Sequence, residues 1–144
     1  PDTDPYEPIP GGCATWWPYE MGGKIELPLT MPQDHTLFVI RQDQDAAVWL
    51  TKFDLLCRQS GLVTVLTHPD YFAGCPAIGR SYVTLLQRAR MQTDQWAPLP
   101  RALAAWWRER SSLHIATRGG RYVVSANHAG PNEGRVQLHS PPPS

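Results

Sequence analysis

The sequence predicts an α/β fold built around a parallel sheet. Three observations lead to this: a run rich in β-branched residues at 62–67, an amphipathic helical pattern directly before it, and an earlier short strand at 24–29. A strand, a helix and a second strand joined by short connections form a βαβ unit, whose strands pair in parallel. The 144 residues are enough for one domain with a modest core, or for part of a larger domain.

The amino-acid composition indicates which classes of binding partner and site to expect. Thirteen basic residues balance 13 acidic ones and no basic run stands out, so we expect neither nucleic acid nor an anionic membrane as partner. No apolar stretch approaches the roughly 20 residues that span a bilayer. The three cysteines lack C-x-x-C spacing, so neither a disulfide framework nor a structural zinc site is indicated. Cys57 falls on a helix face and is expected to be a buried apolar residue.

Prolines and glycines make the first 18 residues a predicted loop. Its acidic residues Asp2 and Asp4 are suited to a hard metal ion, although ordinary turn chemistry accounts for them as well. Gly22 and Gly23 indicate a turn before the strand 24–29. Polar residues, among them Asp34, follow that strand.

A helix is predicted from Asp43 onward, because apolar residues recur three and four positions apart. Asp43 or Asp45 is expected to cap its start, and Gly61 to end it. Trp49 and Phe53 lie on its apolar side and are therefore expected in the core.

His68 comes directly after the predicted strand 62–67, which Pro69 ends. In α/β sheets and barrels, groups at the carboxyl ends of strands line the active-site mouth, and histidine is easily poised for proton transfer near neutral pH. His68 is thus a candidate catalytic residue, and Asp34 and His35 could join it at the same rim. The alternatives are a strand-end histidine bonded to a neighbouring carbonyl, and exposed loop positions for the other two.

The second half of the chain predicts two helices and a β-hairpin after a loop at 69–76. The predicted elements are helices 78–90 and 100–110 and strands 113–117, 121–126 and 135–139, with Gly119 and Gly120 at the hairpin turn and a Pro-rich tail at 141–144. The pair Trp106 and Trp107 has helical spacing, which favours packing over ligand binding. The remaining histidines, His114, His128 and His139, lack metal-ligand spacing and are expected to be structural or exposed.

Four stretches carry a family resemblance: Asp-Thr-Asp-Pro-Tyr-Glu-Pro at 2–8, Glu-Leu-Pro-Leu-Thr-Met-Pro-Gln-Asp at 26–34, Leu-Thr-His-Pro-Asp-Tyr at 66–71, and Leu-Pro-Arg-Ala-Leu-Ala-Ala-Trp-Trp-Arg at 99–108. In this order they resemble the carboxyl-terminal half of a polysaccharide deacetylase domain. The family is the nodulation-deacetylase-like superfamily, also called carbohydrate esterase family four. The resemblance covers residues 1–110.

The resemblance implies the carboxyl-terminal part of a distorted (β/α) barrel at 1–110. The hairpin pattern that follows predicts a β-hairpin appendage at 111–140. It implies a hydrolase that cleaves the C–N bond of acetamido groups on N-acetylated glycans. Such enzymes hold one divalent metal, usually zinc, through an Asp and two His, and a neighbouring Asp is the general base on the metal-bound water.

Site roles follow from the same resemblance. The residues Leu66-Thr67-His68 match the family's late Leu-x-His motif, so His68 would be the general acid that protonates the leaving amine, and Leu66 would line the pocket for the acyl methyl. Asp2 and Asp4 lie where the family has a groove motif and would contact substrate. Flat aromatic rings are common sugar platforms, and the candidates for stacking are Trp16, Trp17 and Tyr71.

The departures from the family matter equally. No Thr-Phe-Asp-Asp motif, His-x-x-x-His pair or Arg-x-Pro-Tyr motif occurs in the chain. We therefore expect the metal ligands and the base upstream of Pro1, in a missing amino-terminal barrel half, and no activity from these residues alone.

Three alternatives stay open. The stretch 27–34 is also similar to the branch of the superfamily that acts on small cyclic or linear amides. The chain could instead be an inactive glycan-binding domain that uses Trp16, Trp17 and Tyr71, or a relic without a site. Family members are often exported to the cell envelope, but the sequence leaves the compartment open.

Overall fold

The computed structural model describes residues 15–118 and 121–126. Its elements are β1 Tyr19–Met21, β2 Lys24–Glu26, a π-helix His35–Ile40, α1 Ala47–Arg58, α2 Tyr71–Gly74, α3 Pro76–Arg90, α4 Pro100–Ser111, β3 Leu113–Arg118 and β4 Arg121–Ala126. The chain divides into two compact units, Pro1–Ala104 and Ala105–Ser144. This division falls inside α4, whereas the sequence analysis placed a boundary after residue 110. None of the described helices combines the length and the apolar character needed to cross a bilayer.

A two-residue turn joins β1 and β2 into an antiparallel hairpin. Gly22 and Gly23 have φ angles of 59° and 76°, the left-handed values that a tight hairpin turn of type I′ requires. The predicted turn is confirmed, but the predicted strand 24–29 is wrong beyond Glu26. Pro28 follows closely and has no N–H to donate to a ladder, so the pairing stops.

The core of the first unit forms between α1, α3 and the π-helix. Its buried residues are Met31, Leu37, Phe38, Trp49, Phe53, Leu56, Ala77, Ile78 and Leu85. Trp49 is fully buried, contacts Phe38 edge-on at 5.1 Å, and donates from Nε1 to the carbonyl of Pro32 at 2.7 Å. The expected core positions of Trp49 and Phe53 are confirmed, and the indole bond fixes the backbone that leads into Asp34.

Cys57 packs beside this core in a half-buried position. Burial raises the pKa of the Cys57 thiol, the Asp54 carboxylate raises it further, and the Arg88 guanidinium opposes the rise. Arg88 itself forms an ion pair with Asp54 at 2.8 Å between α3 and α1. The raised pKa favours the protonated, weakly nucleophilic thiol. Cys57 packs on the expected side of the helix, but the expected burial is only partial.

The carboxyl end of α1 forms a Schellman motif. The N–H of Gly61 donates to the carbonyl of Leu56 at 2.8 Å, and that of Ser60 donates to Cys57 at 3.1 Å. Ser60 has the left-handed φ of 51°, so it ends the helix in the way predicted for Gly61. Gly61 is needed for space instead, because a Cβ there would lie 2.9 Å from Cδ1 of Trp16.

Residues 62–67, predicted as a buried strand, do not form a regular strand. One main-chain hydrogen bond joins them to the segment 27–34, from the N–H of Met31 to the carbonyl of Thr64 at 3.1 Å. The Thr30 hydroxyl replaces further ladder bonds: it donates to the Leu62 carbonyl at 2.7 Å and accepts from the Thr64 N–H at 3.0 Å. The residues of one segment bond to residues of the other in the same sequence order, so the two segments run parallel. In the chain, the π-helix and α1 lie between them.

The other side of segment 62–67 is open in the part of the chain that the structure describes. Val63 and Val65 pack against the core, yet their N–H and C=O groups, like those of Thr67, have no hydrogen-bond partner there. In a parallel arrangement, the main-chain groups of alternate residues point to opposite neighbours. Within the described residues, the segment is therefore hydrogen-bonded along one edge only.

Helices α3 and α1 begin at other residues than predicted, whereas α4 begins at Pro100 as predicted. The predicted loop 69–76 contains the helical turn α2, and α3 begins at Pro76 rather than at residue 78, because proline suits the first helical position. Likewise α1 begins at Ala47, whose N–H donates to the Asp45 carboxylate at 2.8 Å.

The second unit contains the end of α4 and the hairpin of β3 and β4. The predicted hairpin is confirmed, with Leu113 paired to Ala126 and Arg118 to Arg121. Trp106 and Trp107 pack outside the core: no residue of α4 is buried, and Trp106 is 43% exposed. The two indoles contact each other at 5.9 Å and Arg110 instead. The expected strand 135–139 lies outside the described residues.

Replacement of Gly61 by alanine should lower the free energy of unfolding by about 1–3 kcal/mol, because the new methyl overlaps Trp16 and presses on Leu56. Gly79→Ala is the matched control, since Gly79 lies inside α3 and nothing is within 4 Å of its added methyl group. The control should be neutral or stabilising by up to about 1 kcal/mol. Urea unfolding of both variants decides this, and equal effects would contradict the packing role of Gly61.

Amide hydrogen exchange should show the one-sided bonding of segment 62–67. We expect the amides of Val63 and Val65 to exchange at least about tenfold faster than those of Leu62 and Thr64, which have acceptors. Thr30→Val removes the bridging hydroxyl and should speed exchange at Thr64 without changing Val63. Uniform protection along the segment would contradict an open edge.

Candidate functional site

A buried carboxylate, Asp34, lies at the centre of the candidate site. It is 0% exposed and accepts at both oxygens. Oδ2 accepts the backbone N–H of His68 at 2.6 Å, and Oδ1 accepts the backbone N–H of His35 at 2.8 Å. Oδ1 also lies 2.7 Å from Nδ1 of His68. These contacts satisfy a group whose burial would otherwise be costly.

The same contacts define the protonation pattern of His68. An ionised carboxylate is only an acceptor, so with Asp34 ionised the shared hydrogen bond requires the imidazole proton on Nδ1. Nε2 is then the nitrogen that can take up and release a second proton. The His68 side chain is 36% exposed, in contrast to its buried partner. The pair therefore combines a fixed, buried support with a solvent-accessible imidazole.

Local structure places both partners. Asp34 is the residue before the π-helix, and its side chain caps that helix through the N–H of His35. π-helical turns are rare and occur frequently at functional sites. On the other segment, His68 is fixed through its own backbone N–H, so the main chain as well as the ring depends on Asp34.

Two further aromatic rings surround the pair. Tyr71 lies 5.0 Å from the His68 ring with 33° between the planes, and 5.8 Å from His35 with 36° between the planes. Of the two arrangements that the sequence leaves open, exposed loop positions or a cluster with His68, the structure has Asp34 and His35 in the cluster. Tyr71, predicted as a sugar platform, belongs to the same cluster.

The predicted stacking tryptophans lie elsewhere. Trp16 accepts the N–H of Leu62 with its carbonyl, and Trp17 donates from Nε1 to the carbonyl of Ser60 at 3.2 Å. Both are thus bound near the end of α1, at the far end of the segment that leads to His68. An extended chain of six residues spans about 20 Å. The structure does not bring Trp16 and Trp17 together with Tyr71.

The remaining predicted site residues are Leu66, Asp2 and Asp4. Leu66 is 43% exposed, and its neighbour Val65 packs against the core. Asp2 and Asp4 lie outside the described residues.

The described residues do not fit the divalent metal that the resemblance implies. No group of three or more His, Cys, Asp or Glu side chains within residues 15–118 and 121–126 could hold a metal ion. His114 is exposed on β3, and His128 and His139 lie outside the described residues.

No protein-family model, curated protein or solved structure matches the chain. The functional interpretation accordingly depends on the motifs and on the geometry of Asp34 and His68. Sequence reasoning named both residues but did not pair them. The signal was present, since each follows an extended segment and parallel segments end at the same edge.

Asp34→Asn should change the tautomer of His68. An amide presents an N–H as well as an oxygen, so it competes with the backbone donors and can donate to Nδ1, which moves the imidazole proton to Nε2. We also expect a loss of about 1–3 kcal/mol in unfolding free energy from the impaired buried bonds.

Imidazole ¹⁵N NMR at a pH where the ring is neutral reads the tautomer, and urea unfolding reads the stability. Asp45→Asn is the control, because Asp45 is an exposed acceptor at α1 with no contact to the site. A neutral His68 that carries its proton on Nε2 in the wild-type chain would refute the assignment of the proton to Nδ1.

Proposed function

We propose that this chain is part of a metal-dependent, polysaccharide deacetylase-like hydrolase that cleaves the C–N bond of acetamido groups on N-acetylated glycans. His68 is its general acid. The observation that carries this is the 2.7 Å contact between buried Asp34 and Nδ1 of His68, which leaves Nε2 as the proton donor. The Leu-x-His motif at 66–68 supports the same role.

The chemistry of amide cleavage explains why such a donor is needed. After attack on the acyl carbon, the C–N bond breaks with its electron pair moving to nitrogen, and nitrogen leaves readily only when a proton arrives. In this step the His68 imidazolium gives its Nε2 proton to the departing amine and becomes a neutral imidazole that keeps Nδ1–H. General acids of this kind contribute about 10²–10⁴-fold to the rate.

Asp34 supports the proton transfer in two ways. Its carboxylate stabilises the positive charge of the imidazolium, and its bond to Nδ1 keeps Nε2 pointing away from the core. Because the carboxylate is buried, water does not compete for this bond. Asp34 is thus the positioning residue of the proposed acid.

The proposal assigns to this chain the proton transfer alone. The described residues lack a metal-ligand set, so attack on the acyl carbon is left to groups outside them, in the amino-terminal barrel half that the resemblance implies. The open edge at Val63, Val65 and Thr67 supports such a partner, since another parallel strand would satisfy these main-chain groups.

Small cyclic or linear amides are the second substrate class. The stretch 27–34 favours them, and it contains Asp34 itself. The proton donor would act identically, because the leaving atom is again an amide nitrogen. An inactive glycan-binding domain has less support, as Trp16 and Trp17 are not assembled with Tyr71.

His68→Ala should lower kcat at least about 10²-fold in a deacetylase that contains this chain, while metal content stays unchanged. The substitution removes the imidazole that donates the proton but leaves the backbone N–H of residue 68 that binds Asp34. Turnover of N-acetylglucosamine oligomers and of a small cyclic amide should be compared. His114→Ala, at an exposed position on β3, is the control. Normal turnover of both substrates in His68→Ala would overturn the general-acid role.

A further inference from the structure

We propose that Tyr71 is a positioning residue that fixes the His68 ring through face contact, and that it does not bind substrate. This rests on the proposed function of His68 as proton donor. It gives Tyr71 a different role from the sugar platform expected from the sequence.

The hydrogen bond to Asp34 fixes the imidazole at a single ring atom, Nδ1. A hydrogen bond to Nδ1 leaves the ring free to tilt about that bond, which moves Nε2, the atom that must meet the leaving nitrogen. The Tyr71 ring lies against the imidazole at 5.0 Å and 33°, within the range of stabilising aromatic pairs. The carboxylate and the phenol ring together restrict both the direction and the tilt of His68.

The local sequence builds this contact. The Tyr71 N–H donates to the His68 carbonyl at 3.0 Å, which closes a four-residue turn over Pro69 and Asp70. Proline suits the second position of a type I turn because its φ is preset, and Asp70 has φ −65° and ψ −27°. The turn reverses the chain so that the ring of Tyr71 returns to His68.

The surroundings of Tyr71 favour a support over a ligand platform. The side chain is half-buried against the core cluster and also contacts the His35 ring. Its carbonyl accepts the N–H of Cys75 at 2.9 Å, which continues the turn into α2. A ring with two imidazole neighbours and a core contact has little free face for a sugar.

The experiment compares Tyr71→Phe with Tyr71→Leu in kinetics and in NMR. Tyr71→Phe keeps the ring and should match the wild type. Tyr71→Leu should lower kcat about threefold to tenfold with KM unchanged, the effect of one aromatic contact. In NMR of the chain, His68 should keep the Nδ1–H tautomer in both variants, because Asp34 sets it, whereas the order parameter of the His68 Cε1–H bond should fall in Tyr71→Leu alone.

Tyr82→Leu is the matched control, because Tyr82 contacts Phe72 at 5.7 Å and not the imidazole, so its His68 signals should be unchanged. If Tyr71→Leu does not fold, Tyr71→Met repeats the test with a flexible apolar side chain. A rise in KM in Tyr71→Leu with kcat and the His68 order parameter unchanged would show a substrate platform and overturn the proposal.

The two proposals fail separately. Full turnover in His68→Ala, together with a lowered His68 order parameter in Tyr71→Leu, removes the catalytic function and keeps the positioning contact. Loss of turnover in His68→Ala, with no change in kcat or order parameter in Tyr71→Leu, keeps the function and removes the role of Tyr71.

Discussion

The carboxylate of Asp34 is the constraint on which the described first unit depends most. The segments that end at Asp34 and His68 share one main-chain hydrogen bond, between Met31 and Thr64, and side-chain oxygens supply the other links. Asp34 makes the last of these links, at full burial. A buried anion needs all of its donors, so the two segments and the His68 ring are fixed by one group.

The core explains why the carboxylate can occupy that place. Burial of Trp49 and Phe38 fixes the π-helix against α1, and the indole bond to Pro32 fixes the backbone just before Asp34. Each large apolar side chain contributes about 1.5–3 kcal/mol on burial. This offsets the cost of desolvating a charged group, and it delivers the charge to the end of the neighbouring segment, where His68 lies.

Elements set by local periodicity were predictable from the sequence. The amphipathic pattern placed α1, and a Gly-Gly turn between alternating runs placed β3 and β4. The π-helix was not predictable, because it depends on how Phe38 packs against Trp49. Part of the site was predictable, because polar residues that follow two parallel segments can lie at the same end of both. The pairing of Asp34 with His68, and the distant location of Trp16, follow from packing that no local pattern records.

One of the bonds to Asp34 comes from the main chain of residue 68, and this makes the two positions unequal under mutation. Any side chain at 68 keeps that N–H, so substitutions there can remove the imidazole while the two segments stay joined. A substitution at 34 removes the acceptor for main chain and ring together. In a selection that scores cellular abundance beside activity, position 68 would separate the two scores, and position 34 would not.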